Sequence, residues 1–236
     1  MLGALLLCIP LHYGTKLLGL RSQWPARTLG WLARAAGMRV RVIGSPAPAP
    51  ALYCANHLSW LDILIIGGAG GAAFVSKDDV ARWPVVGWLA SLNDTVFIAR
   101  TERRAAGQQA EALRKALARD RPVALFPEGT TDGGREVLPF RASLFAAVLP
   151  PFKGLKVQPV ALDYGPAAGE LEWVGRESTP ANARKVLSRP GRVDVTVHFL
   201  DPLDPADFPD RKAIAEAARA SILRALGAFA PGGDPL

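Results

Sequence analysis

The sequence predicts a single α/β domain with a mainly parallel β-sheet covered by helices, plus an N-terminal helical segment that contacts a membrane. Short runs of β-branched and aromatic residues alternate with longer stretches of helical periodicity, as in strands joined by crossover helices. The chain has 236 residues, and 50% of them are hydrophobic, which suffices for one substantial core. We expect membrane-associating helices over residues 1–38 and the α/β domain over residues 39–236.

The N-terminal segment opens with an apolar run, MLGALLLCIPL, which is shorter than the roughly 20 residues that a membrane-spanning helix needs. Six basic residues and no acidic residue precede Asp62, so this quarter holds most of the net charge of +7. The six are Lys16, Arg21, Arg27, Arg34, Arg39 and Arg41. Tyr13, Trp24 and Trp31 add rings of the kind enriched at membrane interfaces. The pattern favours a segment lying on an anionic membrane over one that binds nucleic acid, and a helix that only docks on the domain is the alternative.

The strands are expected in eight short runs, bounded mostly by Gly, Pro or Asp. In chain order these runs are RVRVIG, ALYCA, AAFVS, TVFIA, PVALF, KVQPVAL, ELEWVG and RVDVTVHFL. Two stretches between and after the strands have the apolar spacing of helices. Their periodic positions are Ala105, Gln109, Leu113 and Ala116, after a cap at Thr101, and then Ile214, Ala218, Ile222, Leu226 and Phe229.

A histidine and an aspartate stand inside the apolar run CANHLSWLDILI, where a buried polar group without a partner would cost roughly 2–7 kcal/mol. ALYCANH is typical of a strand that ends where α/β sheets bind ligands, and WLDILIIGG of the following helix. If Ser59 caps this helix, Asp62 is its third residue and could complete a capping box on a backbone amide. Alternatively, Asp62 could accept a hydrogen bond from His57 and leave the other ring nitrogen as a base. Spacing alone leaves both interpretations open.

Other residues with reactive side chains form no competing site. The two cysteines, Cys8 and Cys54, lack the spacing of a disulfide framework or a metal site, and Cys54 is expected to be a buried, inert thiol. GAGGAA, at residues 68–73, follows a helix and precedes a strand, which is the reverse of the dinucleotide-binding context. The sequence has no G-x-S-x-G, H-E-x-x-H or P-loop motif. We therefore expect neither a metal nor a bound cofactor.

Four short blocks follow one another between residues 40 and 164. They are NHLSWLD, of the form N-H-x-x-x-x-D; DTVFIAR, which ends at Arg100; FPEGT, at residues 126–130; and VQPVAL, at residues 157–162. In order and spacing these blocks resemble the motifs of the glycerolipid acyltransferases, the family typified by bacterial 1-acyl-glycerol-3-phosphate acyltransferase. That family includes a branch that acylates lyso-ornithine lipid.

The resemblance implies that an acyl chain passes from acyl-ACP or acyl-CoA, as co-substrate, to the free hydroxyl of a lysophospholipid, with 1-acyl-glycerol-3-phosphate as the first choice. His57 would be the general base, and Asp62 would orient it. Arg100 would bind the acceptor phosphate, with Lys77 as a further contact. The remaining substrate-binding residues implied by the third motif are Glu128, Gly129 and Thr130. A carboxylate should not face a phosphate, so the glutamate is expected to hold a hydroxyl or a neighbouring cation.

The sequence departs from the motifs in places, and the departure after FPEGT concerns the acceptor. Asp94 stands where the second motif usually has glycine, and Thr131 follows FPEGT where members that form phosphatidic acid commonly carry arginine. The stretch at residues 128–140 is more similar to the lyso-ornithine lipid branch, whose acceptor has no phosphate. Alternatively, Arg135 or Arg141 could supply the missing charge in space.

Two further functions use the same residues. In a thioester or lipid hydrolase, His57 and Asp62 would activate water, and a non-catalytic homologue would bind lipid without turnover. An intact FPEGT block together with Arg100 favours transfer over both. The expected partners are membrane lipids, an acyl carrier protein or CoA thioester, and a lysolipid, but not nucleic acid. The expected location is peripheral or monotopic, on the cytoplasmic face of the bacterial inner membrane.

Overall fold

The computed structural model describes residues 2–20, 22–77, 90–98 and 105–228, which form an α/β fold. The strands are β1 Met38–Ile43, β2 Ala51–Ala55, β3 Ala73–Lys77, β4 Val96–Ile98, β5 Val123–Leu125, β6 Lys156–Asp163 and β7 Val193–Phe199. The helices are α1 Leu2–Leu17, α2 Trp24–Ala35, α3 Leu61–Gly70, α4 Ala105–Leu117, α5 Ala168–Leu171, α6 Thr179–Leu187 and α7 Arg211–Ala228. Seven of the eight predicted strands and both periodic helices are therefore present, while Thr101 and Phe229 lie outside the described residues.

The seven described strands form one sheet in the order β1-β7-β6-β2-β5-β3-β4. Strands β6 and β7 pair antiparallel, and every other pair is parallel, which confirms the predicted mainly parallel sheet. Strand β2 lies between β6 and β5 and runs parallel to both. The carboxyl ends of these three strands therefore meet at the centre of one sheet edge, where ligands bind in α/β folds.

Helices cover both faces of the sheet, and strand β2 is buried throughout. Its residue Tyr53 belongs to the core formed with α2 and α3. Its neighbours Leu52 and Cys54 belong to the opposite core, formed with α4 and α7. Alternate side chains of a strand point to opposite faces, so a strand covered on both faces is apolar at every position.

Helix α2 packs closely against α3 through two glycines. A Cβ atom built on Gly68 would lie 2.6 Å from the Cα atom of Gly30, so a side chain at residue 68 would force the helices apart. The absence of side chains lets the two backbones approach. The N-terminal helices are thus attached directly to the helix that carries Asp62.

The predicted strand ELEWVG is wrong. Leu171 ends the short helix α5, and the chain then turns at Gly175, whose φ is +69°. The amide of Trp173 donates to the carbonyl of Leu58, 3.0 Å away, in the loop after β2. The alternating pattern is overridden because this segment bonds to the loop at the sheet edge rather than to another strand.

The N-terminal segment is helical, as predicted. Within the described residues, no helix combines the length and apolarity needed to cross a membrane. Large apolar side chains at the end of α1 and in the turn after it are exposed, with 88% of Leu17, 76% of Leu18 and 61% of Leu20 accessible. Contact of this surface with a membrane stays a prediction.

Candidate active site

The loop between β2 and α3 brings His57 and Asp62 together. The Nδ1 atom of His57 lies 2.8 Å from Oδ2 of Asp62. The Asp62 side chain is fully buried, whereas 17% of the His57 side chain is exposed. Two residues five apart in one helix would point about 140° apart, so the turn before the helix is what allows this contact.

Helix α3 begins at Leu61, and the predicted cap at Ser59 is wrong. Trp60 occupies the cap position with a helical backbone and no capping hydrogen bond from its side chain. The buried hydroxyl of Ser59 has no hydrogen-bond partner among the described residues. The first amides of α3 are paired without a side-chain cap, because those of Asp62 and Ile63 donate to the carbonyls of Ser59 and Trp60 at 3.1 and 3.3 Å. The Asp62 carboxylate accepts the amides of Leu58 and Ser59, in the loop before the helix, at 2.7 and 2.9 Å.

Asp62 therefore both accepts backbone amides and contacts His57, and the same oxygen, Oδ2, makes both kinds of contact. Oδ2 accepts two backbone amides and also faces the His57 ring. The amides fix the position of the carboxylate and supply charge-assisted hydrogen bonds to it. The interaction that ties Asp62 to its own helix end thus also holds it against the imidazole.

Two more contacts fix His57. Its ring stacks on Phe126, with centroids 3.9 Å apart and planes inclined by 12°. Its backbone amide donates to Oε1 of Glu128 at 2.8 Å. The Nε2 atom makes no hydrogen bond to the described part of the chain. An imidazole held at Nδ1, with Nε2 available, can accept a proton from a substrate.

The third motif forms the turn after β5. Glu128 is buried, and its second oxygen, Oε2, accepts the amide of Leu138 at 2.9 Å. Burial raises the pKa of the Glu128 carboxyl, and the two backbone amides oppose that rise. The structure thus places both carboxylate oxygens on backbone amides, and a contact with an acceptor hydroxyl or a neighbouring cation stays a prediction.

Gly129 and Thr130 complete this turn. Gly129 has a φ of +74°, and a Cβ atom built on it would lie 2.7 Å from Cζ of Arg141. The Arg141 guanidinium therefore packs directly on the glycine, in a place that a side chain would fill. The hydroxyl of Thr130 donates to Oδ2 of Asp132 at 2.9 Å.

The residues expected to bind phosphate are described only in part. Arg100 lies outside the described residues. Lys77 ends β3 at the same sheet edge as His57, but its side chain is not among those described. Asp94 has a φ of +55°, a left-handed backbone that Asp tolerates better than most residues, which accounts for glycine as the usual residue there. The Asp94 carboxylate pairs with Arg121 at 3.1 Å.

Two contributions to the site were not predicted from the sequence, namely the contact of Tyr164 with Asp62 and the contact of Asn56 with β6. The Tyr164 hydroxyl donates to Oδ1 of Asp62. The Asn56 side chain makes two hydrogen bonds to the backbone of Leu162, of 3.0 and 2.8 Å, and so ties the loop to β6. The fourth motif lies in β6, the strand beside β2, and Tyr164 directly follows that strand. Its place after this strand is the signal that could have pointed to it.

Cys54 lies near this edge but is not a reactive thiol. Cys54 is fully buried, burial raises the pKa of its thiol far above the ordinary value, and Sγ lies 3.7 Å from the carbonyl of Gln158. Such a thiol is inert, as expected. Across residues 2–20, 22–77, 90–98 and 105–228, no group of three or more His, Cys, Asp or Glu could hold a metal ion.

Comparisons with known proteins agree on one family. A family model described as Acyltransferase matches residues 39–163. Lyso-ornithine lipid O-acyltransferases of Rhodobacter capsulatus and Brucella abortus are 39% and 35% identical, over 81% and 88% of this chain and 71% and 84% of theirs. The 1-acyl-sn-glycerol-3-phosphate acyltransferase of Neisseria gonorrhoeae is 32% identical, over 76% of this chain and 72% of its own. The crystal structure of the 1-acyl-sn-glycerophosphate acyltransferase of Thermotoga maritima has the same fold, with a TM-score of 0.63 at 24% identity, covering 95% and 91% of the chains.

Proposed function

The chain belongs to the acyltransferase family, and from this premise we propose that it transfers an acyl chain from a thioester to the free hydroxyl of a lysolipid. The observation that carries the proposal is the contact between His57 Nδ1 and the buried carboxylate of Asp62 at the sheet edge. Acyl-ACP or acyl-CoA is the proposed co-substrate, and no cofactor is required. A family member without activity would not need to keep this pair in hydrogen-bonded geometry.

The proposed reaction begins with removal of a proton. Asp62 holds the Nδ1 proton of His57, so Nε2 is free to take the proton of the acceptor hydroxyl as its oxygen attacks the thioester carbonyl. The tetrahedral intermediate then collapses, and the carbon–sulfur bond breaks. The imidazolium returns the proton to the departing thiolate, so an ester and a free thiol are the products. Asp62 stabilises the imidazolium between these two steps.

The acceptor we propose is lyso-ornithine lipid rather than the lysophosphatidate that the motifs put first. Four relatives that are 35–39% identical carry that name, against 31–32% for those named for glycerol phosphate. Thr131, in the position where an arginine would favour phosphate, donates its hydroxyl to the carbonyl of Trp173. The proposed acceptor site also contains Lys77, Arg100 and Thr130, as the family resemblance implies.

Two opposite charges beside the third motif suit an amino-acid headgroup. The Arg141 guanidinium packs on Gly129, and Glu172 packs on Gly134, where a built Cβ atom would lie 2.6 Å from Oε2. Neither side-chain charge is paired with another described residue. With one ornithine amine acylated, the headgroup of the lipid presents one carboxylate and one ammonium group, so a guanidinium could bind the first and a carboxylate the second.

The function is tested with purified protein and a labelled acyl thioester, as acyl-ACP and as acyl-CoA. Lyso-ornithine lipid, lysophosphatidate and no acceptor are compared. We expect labelled diacyl product with lyso-ornithine lipid. Preference for lysophosphatidate would overturn the acceptor assignment, free fatty acid without acceptor would support the hydrolase, and no turnover with vesicle binding retained would support the non-catalytic homologue.

The Arg141→Ala variant should weaken binding of the acceptor. A hydrogen bond to a charged group contributes about 1.5–3 kcal/mol, so we expect KM for the lysolipid to rise about 10- to 100-fold while kcat changes little. KM for the thioester should stay the same. Arg192→Ala, which removes an exposed arginine just before β7, is the control. An unchanged KM for the acceptor in Arg141→Ala would contradict the proposal that the Arg141 guanidinium binds the acceptor.

The exposed end of α1 is the proposed membrane contact, on the cytoplasmic face of the inner membrane. Leu17 and Leu18 are largely accessible and stand next to Lys16 in a basic segment. Burying one leucine side chain contributes about 1.5–3 kcal/mol, and nearby cations add attraction to anionic lipids.

Replacing both leucines with serine should therefore reduce binding to anionic vesicles by about 10-fold or more, as measured by sedimentation. The matched control is a double serine variant of Leu187 and Leu223, which are exposed on α6 and α7. If both double variants sediment like the unchanged protein, α1 is not the membrane contact.

A further inference from the structure

We propose that Tyr164 is a positioning residue for the His57–Asp62 pair, because it holds the carboxylate oxygen that the histidine does not use. This inference rests on the proposed function and adds a residue to the same site. Asp62 receives four hydrogen bonds, three at Oδ2 and the tyrosine hydroxyl at Oδ1. Oδ2 therefore faces the histidine, and Oδ1 is held by the phenol.

The geometry follows from the order of the strands. Tyr164 comes directly after β6, and Asp62 lies in the helix after β2, which is the neighbour of β6 in the sheet. The tyrosine is 3% exposed and Asp62 is 0% exposed, so water has little access to either group. Rotation of a carboxylate about its last torsion is a soft motion. Donors on both oxygens oppose that rotation and keep Oδ2 in place against Nδ1 of His57.

The phenol also takes up part of the negative charge of the carboxylate. A donor on Oδ1 withdraws negative charge from Oδ2, and the carboxylate then attracts the proton on His57 Nδ1 less strongly. Burial and the nearby Asp62 charge raise the pKa of Tyr164 well above its ordinary value, so the hydroxyl keeps its proton as a donor. Glu128, from the turn after β5, is a further titratable group whose charge interacts with the pair.

The test is Tyr164→Phe, which keeps the ring and removes only the donor. We expect kcat for acceptor-dependent transfer to fall about 10-fold, with both KM values within about 2-fold, because a hydrogen bond to a charged group is lost at the pair. The acidic limb of the pH profile of kcat/KM should move to higher pH, because the carboxylate holds the imidazolium more strongly. The NMR chemical shift of the His57 Nδ1 proton should also change, and this signal does not depend on turnover.

Tyr53→Phe is the matched control. Tyr53 is also fully buried, and its hydroxyl donates to the carbonyl of Ala47 at 2.6 Å, away from the pair. This variant should lose stability while the pH profile and the His57 Nδ1 proton signal stay in place. If Tyr164→Phe leaves kcat, the pH profile and the Nδ1 proton signal unchanged, the positioning role is wrong although transfer by the unchanged protein stands. If the unchanged protein transfers no acyl chain, the proposed function fails and the Nδ1 proton signal still decides the role of Tyr164.

Discussion

His57→Ala should lose nearly all acceptor-dependent acyl transfer, with kcat falling about 10²- to 10⁴-fold, the usual contribution of a positioned general base. The acceptor alcohol is too weak an acid to lose its proton unaided at neutral pH. Alanine has no atom that can take the place of Nε2. Binding of both substrates should change little, because the ring acts on the reacting proton.

The measurement is kcat with labelled thioester and saturating lysolipid, together with the thermal unfolding midpoint. His12→Ala is the matched control, because His12 is a buried histidine that bonds to Ser22 at 2.9 Å and lies in α1, away from the pair. It should lose stability but retain kcat. A His57→Ala protein that folds and keeps kcat within about 10-fold of the unchanged value would contradict the proposal that His57 is the general base.

Asp62→Asn should lower kcat by about 10²- to 10³-fold while the protein stays folded, because the substitution removes a charge and keeps the shape. The amide oxygen can take the place of Oδ2 and accept the same N–H groups. The amide nitrogen would then face Tyr164, whose hydroxyl can turn to accept from it. What is lost is the negative charge that stabilises the imidazolium during transfer.

Asp210→Asn separates this catalytic effect from helix capping. The Asp210 carboxylate accepts the amides of Lys212 and Ala213 at 2.7 and 2.9 Å at the start of α7, but it faces no histidine. Asp62 is fully buried, so Asp62→Asn should lose more thermal stability than Asp210→Asn, and only Asp62→Asn should lose kcat. Equal kcat in the two variants would mean that Asp62 serves only its own helix.

The position of the site was predictable from the sequence because it depends on strand ends. The four blocks lie on β2, β4, β5 and β6 or directly after them, and the described sheet brings β6, β2 and β5 together. The spacing of His57 and Asp62 allowed their contact once a turn preceded the helix. The order of the strands could not be read from the sequence, because it depends on pairings between residues far apart in the chain.

The predictions that were wrong relied on local patterns. Ser59 looked like a helix cap, but the first amides of α3 donate to the backbone carbonyls of Ser59 and Trp60 rather than to the serine hydroxyl. ELEWVG alternates like a strand, but its backbone bonds to the loop at the sheet edge. Tyr164 lies about a hundred positions from Asp62, so no local spacing pointed to their contact.

The most direct test of the account is a single-turnover reaction with excess enzyme and a thioester labelled in its acyl chain, stopped at short times with and without lyso-ornithine lipid. The account predicts that label passes straight from thioester to diacyl lipid when the acceptor is present, and stays on the thioester when it is absent. Label bound covalently to the protein, or released as fatty acid at the same rate without acceptor, would contradict proton removal from the acceptor hydroxyl by His57 as the step that drives transfer.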